Sequence, residues 1–507
     1  MPAQTITELL KSGADDATAL STPGGTPLSY RALRKLVADT TAALAGRGIG
    51  VNDRVAIVLD NGPEMAAAFL CTASGATAAP LNPGYRADEF EFYLTDLRAK
   101  LLIVAHGKDS PCVAVAEQLS IPIARLLSHP DQGAGTFTLA FPGSPASDVR
   151  RPTSATASDI ALVLHTSGTT SRPKIVPLSN ANICASAHNV ARSLTLAADD
   201  RGLVIMPLFH IHGLIASLSA PLSVGGEVCC TTGFSALKFF GWLGETKPTW
   251  YSGVPTMHQA ILTRAAGNSD VIKAHRLRFI RSSSSSLPTR VISELESTFG
   301  VPVIEAYGMT EAAHQMASNA LPPKSRKPGT VGPSAGPEIR IADIDGKTVP
   351  VGATGEIVIR GSNVMREYEN NPQANADAFY GDWFRTGDQG TMDADGYVSI
   401  TGRLKEIINR GGEKISPREV DEILMEHPAV HQCVCFGMPH DMLGEEVAAA
   451  IVLKQGAQAT DKELREFAKV KLADFKVPRK IVILDAIPLG ATGKLQRIGL
   501  SQKLGLG

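Results

Sequence analysis

Residues 160–174 read IALVLHTSGTTSRPK, an apolar run followed directly by hydroxyl side chains, one Gly and a closing Lys. The apolar run is typical of a strand in a parallel sheet, because helices cover both faces of such a sheet. Hydroxyl groups, backbone N–H groups around a Gly and a Lys together suit a polyphosphate. The stretch therefore predicts an α/β fold with a phosphate-binding loop at the end of a buried strand.

This loop differs from the Walker A loop, in which Gly, four residues and Gly-Lys-Ser/Thr follow one another. Here Pro173 precedes Lys174 and Ile175 follows it. Taken alone, the loop could also be an ordinary polar turn after a strand. Its candidate phosphate-binding residues are Thr166, Ser167, Gly168, Thr169, Thr170 and Lys174.

Helical and strand-like segments alternate on both sides of the loop, which predicts parallel sheets covered by helices. Upstream, helices are expected over about 63–74 and 89–97, and the stretch 128–158 is expected to be loop. Downstream strands are each expected to precede a turn and a helix. The predicted strands are 55–60, 77–82, 101–105, 160–168, 203–209, 248–255, 277–283 and 301–308.

The pattern changes twice in the last third of the chain. From about 337 it consists of short strands with Gly and Asp turns, which predicts a small β-rich subdomain reaching 402. Residues 403–507 then predict a small α+β module with its own core, with capping boxes beginning at Ser416 and Thr460. The predicted domains are therefore 1–402 and 403–507.

Composition excludes several classes of protein. The chain has 507 residues, with 49 Lys and Arg against 50 Asp and Glu, so a surface built to neutralise nucleic-acid phosphates is not expected. The seven cysteines form no C-x-x-C pair, which argues against a zinc ribbon and favours buried, reduced thiols. The chain shows no secretory signal, peroxisomal address or long apolar run, so a cytoplasmic protein without membrane contact is expected.

Four further motifs follow the phosphate loop in order: YGMTE (307–311), RTGD (385–388), GRLKEIINRGGEKISP (402–417) and ATGKLQR (491–497). Together the five motifs resemble the adenylate-forming superfamily, which includes acyl-CoA synthetases, adenylation domains of peptide synthetases and beetle luciferases. Ser171 departs from the Gly that many members have. The resemblance implies a large N-terminal domain of stacked αβαβα-type sheets, a small β-rich subdomain and a mobile α+β C-terminal domain.

The resemblance also implies a reaction in which a carboxylate attacks the α-phosphorus of ATP and pyrophosphate leaves. Both reactants are anions, so catalysis consists largely of positioning and charge neutralisation. Thr310 would contact the α-phosphate, and Glu311 would hold Mg²⁺, which prefers oxygen ligands. Without the motif, Glu311 would be read as an acid near a helix N-terminus.

The same resemblance implies which residues bind the ribose and the adenine. Asp388 would accept hydrogen bonds from both ribose hydroxyls, as an acceptor-only carboxylate can, although it could also be a plain turn Asp. Arg403 would reach the ribose or a phosphate. The run 282–286 is too short and enclosed to be a flexible linker. The adenine would lie between Ser284 and the segment Glu305, Ala306 and Tyr307.

Lys494 is implied to bridge the substrate carboxylate and the α-phosphate, and an exposed loop Lys is the plain alternative. In the family the C-terminal module rotates about a hinge near Lys405 before the thiol of coenzyme A attacks. The Gly411-Gly412 turn would then line the pantetheine tunnel, where only Gly allows close backbone approach. The catalytic candidates are Lys494, Thr310, Glu311 and His210.

The acid pocket is rich in groups that can bind a second carboxylate. The motifs PLFHIHG, RFIRSSSSSL and EAYGMTEAAHQM closely resemble those of oxalate–CoA ligases. This resemblance implies oxalate as the acid, because an apolar pocket would reject a dianion. Any one of these groups could instead be structural. The candidate acid-binding residues are His210, His212, Arg281, Ser283, Ser285 and His314.

Three alternatives remain open at this stage. The acid could be another short or aromatic one, such as glycolate, malonate or a coumarate-like acid. The protein could be a stand-alone adenylating enzyme that loads a carrier protein and ignores coenzyme A. It could also bind a nucleotide without catalysis, although retention of Lys174, Glu311, Asp388 and Lys494 argues against this.

Overall fold

The computed structural model describes residues 2–141, 153–166, 173–275, 277–488 and 497–506. The chain divides into two compact units. The first comprises Met1–Leu287, Val291–Glu338 and Arg360–Ala378. The second comprises Pro288–Arg290, Ile339–Ile359 and Phe379–Gly507, so the β-rich segment groups with the C-terminal residues. The domain boundary at 402 therefore stays a prediction.

The first unit contains a sheet of seven described strands, most of them parallel. Strand Arg54–Val58 lies at its centre and pairs in parallel with a strand on either side. Only the two outermost pairings are antiparallel among the described strands. In spatial order the strands are Phe137–Ala140, Ile123–Ser128, Leu101–Ala105, Arg54–Val58, Thr77–Pro80, Ile160–Thr166 and Lys174–Ser179.

A second sheet of eight described strands completes the first unit. Its middle strands are parallel, so their carboxyl ends meet at one edge, where α/β proteins usually bind ligands. In spatial order they are His314–Ser318, Val303–Met309, Phe279–Ser282, Trp250–Gly253, Arg201–Val204, Glu227–Cys230, Thr18–Ser21 and Leu28–Ser29.

Helices between these strands begin at residues suited to a helix start. Pro63 is the first residue of its helix, and Ser179 caps helix Asn180–Ser193 with its side chain. The longer helices are Tyr30–Ala45, Pro63–Gly75, Ala87–Leu97, Pro111–Gln118, Asn180–Ser193, Phe239–Thr246, Pro255–Ala265 and Thr289–Phe299, and His212–Ser219 is a π-helical segment. The predicted α/β class is confirmed.

Two local predictions about the first unit are wrong. The stretch expected to be loop contains strand Phe137–Ala140, which extends the first sheet in antiparallel pairing with Ile123–Ser128. Strand Val303–Met309 is followed by the short turn Thr310–Ala312 and strand His314–Ser318, where a helix was expected. The chain reverses there because Ala313 and His314 adopt positive φ angles of 45° and 98°.

The second unit contains two antiparallel-rich sheets. One sheet contains Glu338–Ala342, Gly355–Arg360, Trp383–Met392 and Phe379–Tyr380, with Val398–Arg403 beside Trp383–Met392. The other contains Glu413–Ile415, Ile408–Arg410, Gly444–Leu453 and Val430–His440, with Lys480–Ile483 beside Gly444–Leu453. Its helices include Pro417–Met425, Asp461–Lys469 and Leu500–Lys503.

The C-terminal residues have a core of their own, as predicted, built around Val420, Leu424 and Ile451. The capping box at Thr460 forms: the Thr460 side chain accepts from Glu463 N, and the Glu463 side chain accepts from Thr460 N. The box predicted at Ser416 does not form, because the Ser416 hydroxyl donates to the Thr401 carbonyl instead.

All seven cysteines are free and buried, as predicted. Burial raises the pKa of the Cys71 and Cys184 thiols to about 12, so both stay protonated at neutral pH. Across the described residues, no helix combines the length and apolar character needed to cross a membrane.

Candidate active site

The two ends of the predicted phosphate loop are held together by strand pairing. Thr166 ends one strand, Lys174 begins the next, and the two residues are direct partners in the antiparallel register. This pairing places the Lys174 backbone beside the point where the chain enters the loop. Ser167, Gly168, Thr169 and Thr170 lie outside the described residues.

Lys174 and Glu311 both contact Tyr368, which lies outside all five motifs. The Lys174 ammonium lies 4.2 Å from the centroid of the Tyr368 ring, within the range of a cation–π interaction. The Tyr368 hydroxyl donates a 2.9 Å hydrogen bond to Glu311 Oε1. The structure thus brings together the two residues assigned to phosphate and metal.

Glu311 is buried in the short turn Thr310–Ala312, and Thr310 beside it is half-buried. Carboxylate and hydroxyl oxygens suit Mg²⁺, which keeps several waters and phosphate oxygens when it binds a nucleotide. No group of three or more metal-binding side chains occurs in the described parts of the chain. Glu311 with substrate phosphates therefore fits Mg²⁺ better than a metal site built by protein alone.

The turn after Glu311 brings His314 back against Gly308. A Cβ atom at Gly308 would lie 2.0 Å from the His314 carbonyl oxygen, so no other residue fits there. His314 itself has a φ of 98°, which is uncommon for a residue with a side chain. Such strain is often found at functional sites, where the surrounding structure imposes it.

Arg281 is the centre of a polar cluster at the carboxyl ends of the parallel strands. Its Nη1 donates to His212 Nε2 and to Ser252 Oγ, each at 3.2 Å. Its Nη2 donates to His314 Nε2 at 3.0 Å and to Gln315 Oε1 at 3.2 Å. Ser252 and Arg281 are register partners on adjacent strands, which explains their contact.

These bonds determine the protonation of both histidines. A guanidinium has only donors, so the Nε2 atoms of His212 and His314 must accept. Each ring is therefore neutral with its proton on Nδ1, and His212 Nδ1 lies 3.0 Å from Ser284 Oγ. The two rings stack at a centroid distance of 4.9 Å. The cluster thus contains one fixed positive charge beside two neutral imidazoles.

The positive charge of Arg281 has no carboxylate partner among the described residues. The side chain is fully buried, and this desolvation lowers its pKa while leaving it protonated at neutral pH. A buried cation without an anion is costly, so such an arrangement is usually retained for a ligand.

The three serines of the predicted site differ in burial and in contacts. Ser283 is buried and donates to the Ala306 carbonyl at 2.9 Å, while Ser285 is exposed. Ser284, which was assigned to the adenine, has a φ of 71° and contacts His212. The structure therefore places Ser284 nearest the histidine cluster, and the roles of all three serines stay predictions.

His210 and the adenine candidates belong to different segments of the second sheet: His210 follows strand Arg201–Val204, and the adenine candidates lie on strand Val303–Met309. His210 is half-buried, and its Nδ1 accepts from His212 N at 3.3 Å. Glu305 is buried, and its Oε2 accepts from Gly329 N at 2.9 Å, so its side chain fixes a loop. Ala306 and Tyr307 are buried and follow Glu305 on strand Val303–Met309.

In the second unit, Asp388 and Arg403 face each other on adjacent strands. Arg403 Nε lies 3.1 Å from Asp388 Oδ1, and the two residues are register partners. The Asp388 side chain is 8 % exposed and that of Arg403 is 52 % exposed. Asp388, which was predicted to accept hydrogen bonds from the ribose, is therefore paired with Arg403, which was predicted to reach the ribose or a phosphate.

The remaining predicted residues also lie in the second unit. Lys405 is exposed shortly after strand Val398–Arg403. Gly411 and Gly412 form the two-residue turn between Ile408–Arg410 and Glu413–Ile415, with φ angles of 58° and 97°. Such a turn requires positive φ at both positions, which explains both glycines. Lys494 lies outside the described residues.

Three residues of these clusters were missed from the sequence: Ser252, Gln315 and Tyr368. Gln315 directly follows His314, so the motif ending EAAHQM contained a usable signal. Ser252 stands in an ordinary apolar strand pattern, and Tyr368 lies far along the chain from Glu311. Only the fold brings these two residues to the site.

Comparison with known proteins gives consistent matches along the chain. The family model described as AMP-binding enzyme matches residues 11–369, and the model for the AMP-binding enzyme C-terminal domain matches residues 419–494. A protein named probable CoA ligase from Humulus lupulus is 43 % identical over 97 % of this chain and 95 % of its own. The oxalate–CoA ligase of Arabidopsis thaliana is 42 % identical over 98 % of both chains.

A solved structure agrees with these sequence matches. The ATP-bound crystal structure of MatB from Rhodopseudomonas palustris has a TM-score of 0.87 against this chain at 28 % identity. The match covers all of this chain and 98 % of that one.

Proposed function

Because the chain belongs to the AMP-binding enzyme family, we propose that it is an ATP-dependent acid–CoA ligase whose preferred acid is oxalate. The products would be oxalyl-CoA, AMP and pyrophosphate. The cofactors and co-substrates are then ATP, Mg²⁺ and coenzyme A. A cytoplasmic location, proposed from the sequence, is compatible with this chemistry.

The observation that carries the choice of oxalate is the buried Arg281, whose partners are neutral. Oxalate has a second carboxylate that an apolar pocket would reject, because the desolvation of that charge would not be offset. A fixed cation offsets it, and the positive charge also polarises the imidazoles of His212 and His314. A monocarboxylic acid gains nothing from this arrangement.

In the first step, one carboxylate oxygen of oxalate attacks the α-phosphorus of ATP and pyrophosphate leaves. Lys174 neutralises phosphate charge, and Thr310 contacts the α-phosphate. Glu311 would hold Mg²⁺, which would neutralise charge on the phosphate oxygens. Lys494 bridges the attacking carboxylate and the α-phosphate, which brings two anions to reacting distance.

In the second step, the thiolate of coenzyme A attacks the oxalyl carbonyl carbon and AMP leaves with the bonding electron pair. Asp388 holds the ribose through both hydroxyls, so that the adenylate stays oriented while the thiol arrives. The Gly411-Gly412 turn permits close approach of the pantetheine arm, because neither residue has a side chain. The role of His210 is to bind the acid beside His212.

A panel of acids tests this proposal. Oxalate, glycolate, malonate and a coumarate-like acid are each supplied with ATP and Mg²⁺, with and without coenzyme A. Pyrophosphate release and thioester formation are both measured. We expect oxalate to give the highest kcat/KM and a thioester only when coenzyme A is present.

Each rival gives a different result in this assay. Faster turnover of another acid would replace oxalate and leave the ligase class intact. Pyrophosphate release without any thioester would identify an adenylating enzyme that loads a carrier protein. Bound ATP without turnover of any acid would identify a nucleotide-binding protein and overturn the proposal.

A further inference from the structure

Tyr368 lies between two residues of the nucleotide site and contacts both of them. Its hydroxyl donates to Glu311 Oε1 at 2.9 Å, and the Lys174 ammonium lies 4.2 Å from its ring centroid. We propose that Tyr368 is a positioning residue that holds Glu311 and Lys174 in the geometry that binds Mg²⁺ and ATP. This inference rests on the proposed function, since it assigns Glu311 to the metal and Lys174 to the phosphates.

The backbone of Tyr368 is held in place by hydrogen bonds in both directions. Asn375 Oδ1 accepts from Tyr368 N, and Asn375 Nδ2 donates to the Tyr368 carbonyl, each at 2.8 Å. Asn371 caps the helix that carries Asn375 by accepting from Ala374 N. The ring therefore projects from a fixed backbone position.

The segment around Tyr368 is also tied to both elements that it serves. Met365 N donates to the Glu311 carbonyl at 2.7 Å, and Glu369 N donates to the Ile175 carbonyl at 3.1 Å. Glu369 forms an ion pair with Arg54 on the central strand of the first sheet. Residues 365–369 thus connect the turn of Glu311 to the strand that begins at Lys174.

The chemistry of the phenol suits this role. A phenol carries a hydroxyl hydrogen at neutral pH, so Tyr368 can donate to the Glu311 carboxylate, which has only acceptors. A donor on Oε1 fixes the carboxylate plane, so that metal binding does not have to order a flexible side chain. The ring face gives the Lys174 cation a preferred position before phosphate arrives.

Equilibrium binding of ATP, measured by calorimetry with and without Mg²⁺ and in the absence of acid, tests the proposal. In Tyr368→Phe the ring remains and the hydroxyl is lost. We expect the gain in ATP affinity from Mg²⁺ to fall about tenfold, the usual effect of losing a hydrogen bond to a charged group. ATP affinity without the metal is expected to stay near that of the wild type.

Tyr30→Phe is the matched control. Tyr30 also has a buried hydroxyl, which donates to the Gly226 carbonyl at 2.7 Å, but it contacts no residue assigned to the nucleotide. Its loss should reduce thermal stability without changing the effect of Mg²⁺ on ATP affinity. A purely structural role for Tyr368 would give the same result in Tyr368→Phe and would overturn the proposal.

Two further variants separate the contacts. Tyr368→Leu removes the ring as well, so ATP affinity without metal should fall a further few-fold, about the strength of a cation–π contact. Tyr368→Phe combined with Glu311→Gln should weaken metal-dependent binding no more than Glu311→Gln alone, because both changes disrupt one unit. Additive effects would overturn the proposal, whereas a wild-type protein that does not bind ATP would overturn the proposed function itself.

Discussion

Two arginines that the sequence assigns to ligand binding have opposite surroundings. Arg281 is fully buried and donates to two histidines, a serine and a glutamine, all neutral. Arg403 is half-exposed and pairs with the carboxylate of Asp388 at 3.1 Å. The first keeps its full positive charge in a medium of low dielectric constant, and the charge of the second is largely cancelled by a neighbour and by water.

The difference indicates what each residue can do for a ligand. A cation among neutral partners still attracts an anion, so Arg281 suits recognition of a charged acid. A cation already paired with a carboxylate acts mainly through that partner, so Arg403 orients Asp388 more than it attracts phosphate. Two residues of one type are thus expected to act differently on a ligand because of the charge of their nearest neighbours.

The largest effect is expected when the unpaired cation is removed. In Arg281→Met the volume is nearly kept, and the KM for oxalate should rise about a hundredfold, as for the loss of a buried charge interaction. The KM for ATP should stay within about twofold, because the hydrogen bonds of the Arg281 guanidinium go to none of the residues assigned to the nucleotide. Steady-state kinetics with each substrate varied in turn gives both values.

Arg278→Met is the control for this variant. Arg278 lies three residues away and pairs with Asp200, so its loss removes an ion pair without touching the histidine cluster. Both KM values should remain near those of the wild type. If the KM for oxalate stayed unchanged in Arg281→Met, Arg281 would not contribute to binding the acid.

The sequence predicts the helices and strands better than it predicts the polar contacts between side chains. Apolar runs and cap residues identified strands such as Leu101–Ala105 and the helix Pro63–Gly75 nearly to the residue. The periodicity of apolar residues indicates which face of a helix or strand is buried, and this pattern can be read from residues that are close together in the chain. The reversal after Thr310 was missed, since it depends on strained φ angles at Ala313 and His314 that no propensity favours.

The site residues show the same limit. The motifs contain Arg281 and His314, which were both predicted to bind the acid, and the structure places their side chains within hydrogen-bonding distance of each other. Two further partners give Arg281 its neutral surroundings: Ser252, which belongs to no quoted motif, and Gln315, which lies in the motif EAYGMTEAAHQM but was not selected as a site residue. Side-chain direction at Ser283 and Ser284 also could not be read from the run of serines, because the positive φ of Ser284 turns the chain.

A smaller effect is expected from a second buried group in the neutral interior that surrounds Arg281. His258 is fully buried, and desolvation lowers its pKa from 6.5 to about 4. Below pH 6.5 the unfolded chain takes up a proton that the folded chain refuses, so stability falls as pH falls. Between pH 7 and 5.5 this should cost about 1 kcal/mol, measured as the free energy of unfolding in urea.

His258→Asn removes the titrating group and should flatten this part of the stability profile. The imidazole resonances of the wild type provide an independent check, because His258 should remain neutral down to about pH 4. A His258 that titrates near pH 6.5 would mean that an anion or water reaches this interior. The neutral surroundings inferred for Arg281 would then need revision.

The smallest effect is expected at the paired arginine. Arg403→Met removes a half-exposed cation that pairs with Asp388, and such exposed pairs contribute about 0.2–1 kcal/mol. The KM for ATP should therefore rise no more than about fivefold. The KM for oxalate should stay unchanged, since the contacts described for the acid cluster do not include Arg403.

The effect of Arg403→Met on the KM for ATP should depend on ionic strength. An exposed pair is screened by ions, so the difference between Arg403→Met and wild type should shrink as ionic strength rises. The defect of Arg281→Met should persist in the same buffers, because a buried charge is screened far less. If Arg403→Met weakened ATP binding a hundredfold at all salt concentrations, Arg403 would itself be a direct ligand, and the contrast between the two arginines would no longer hold.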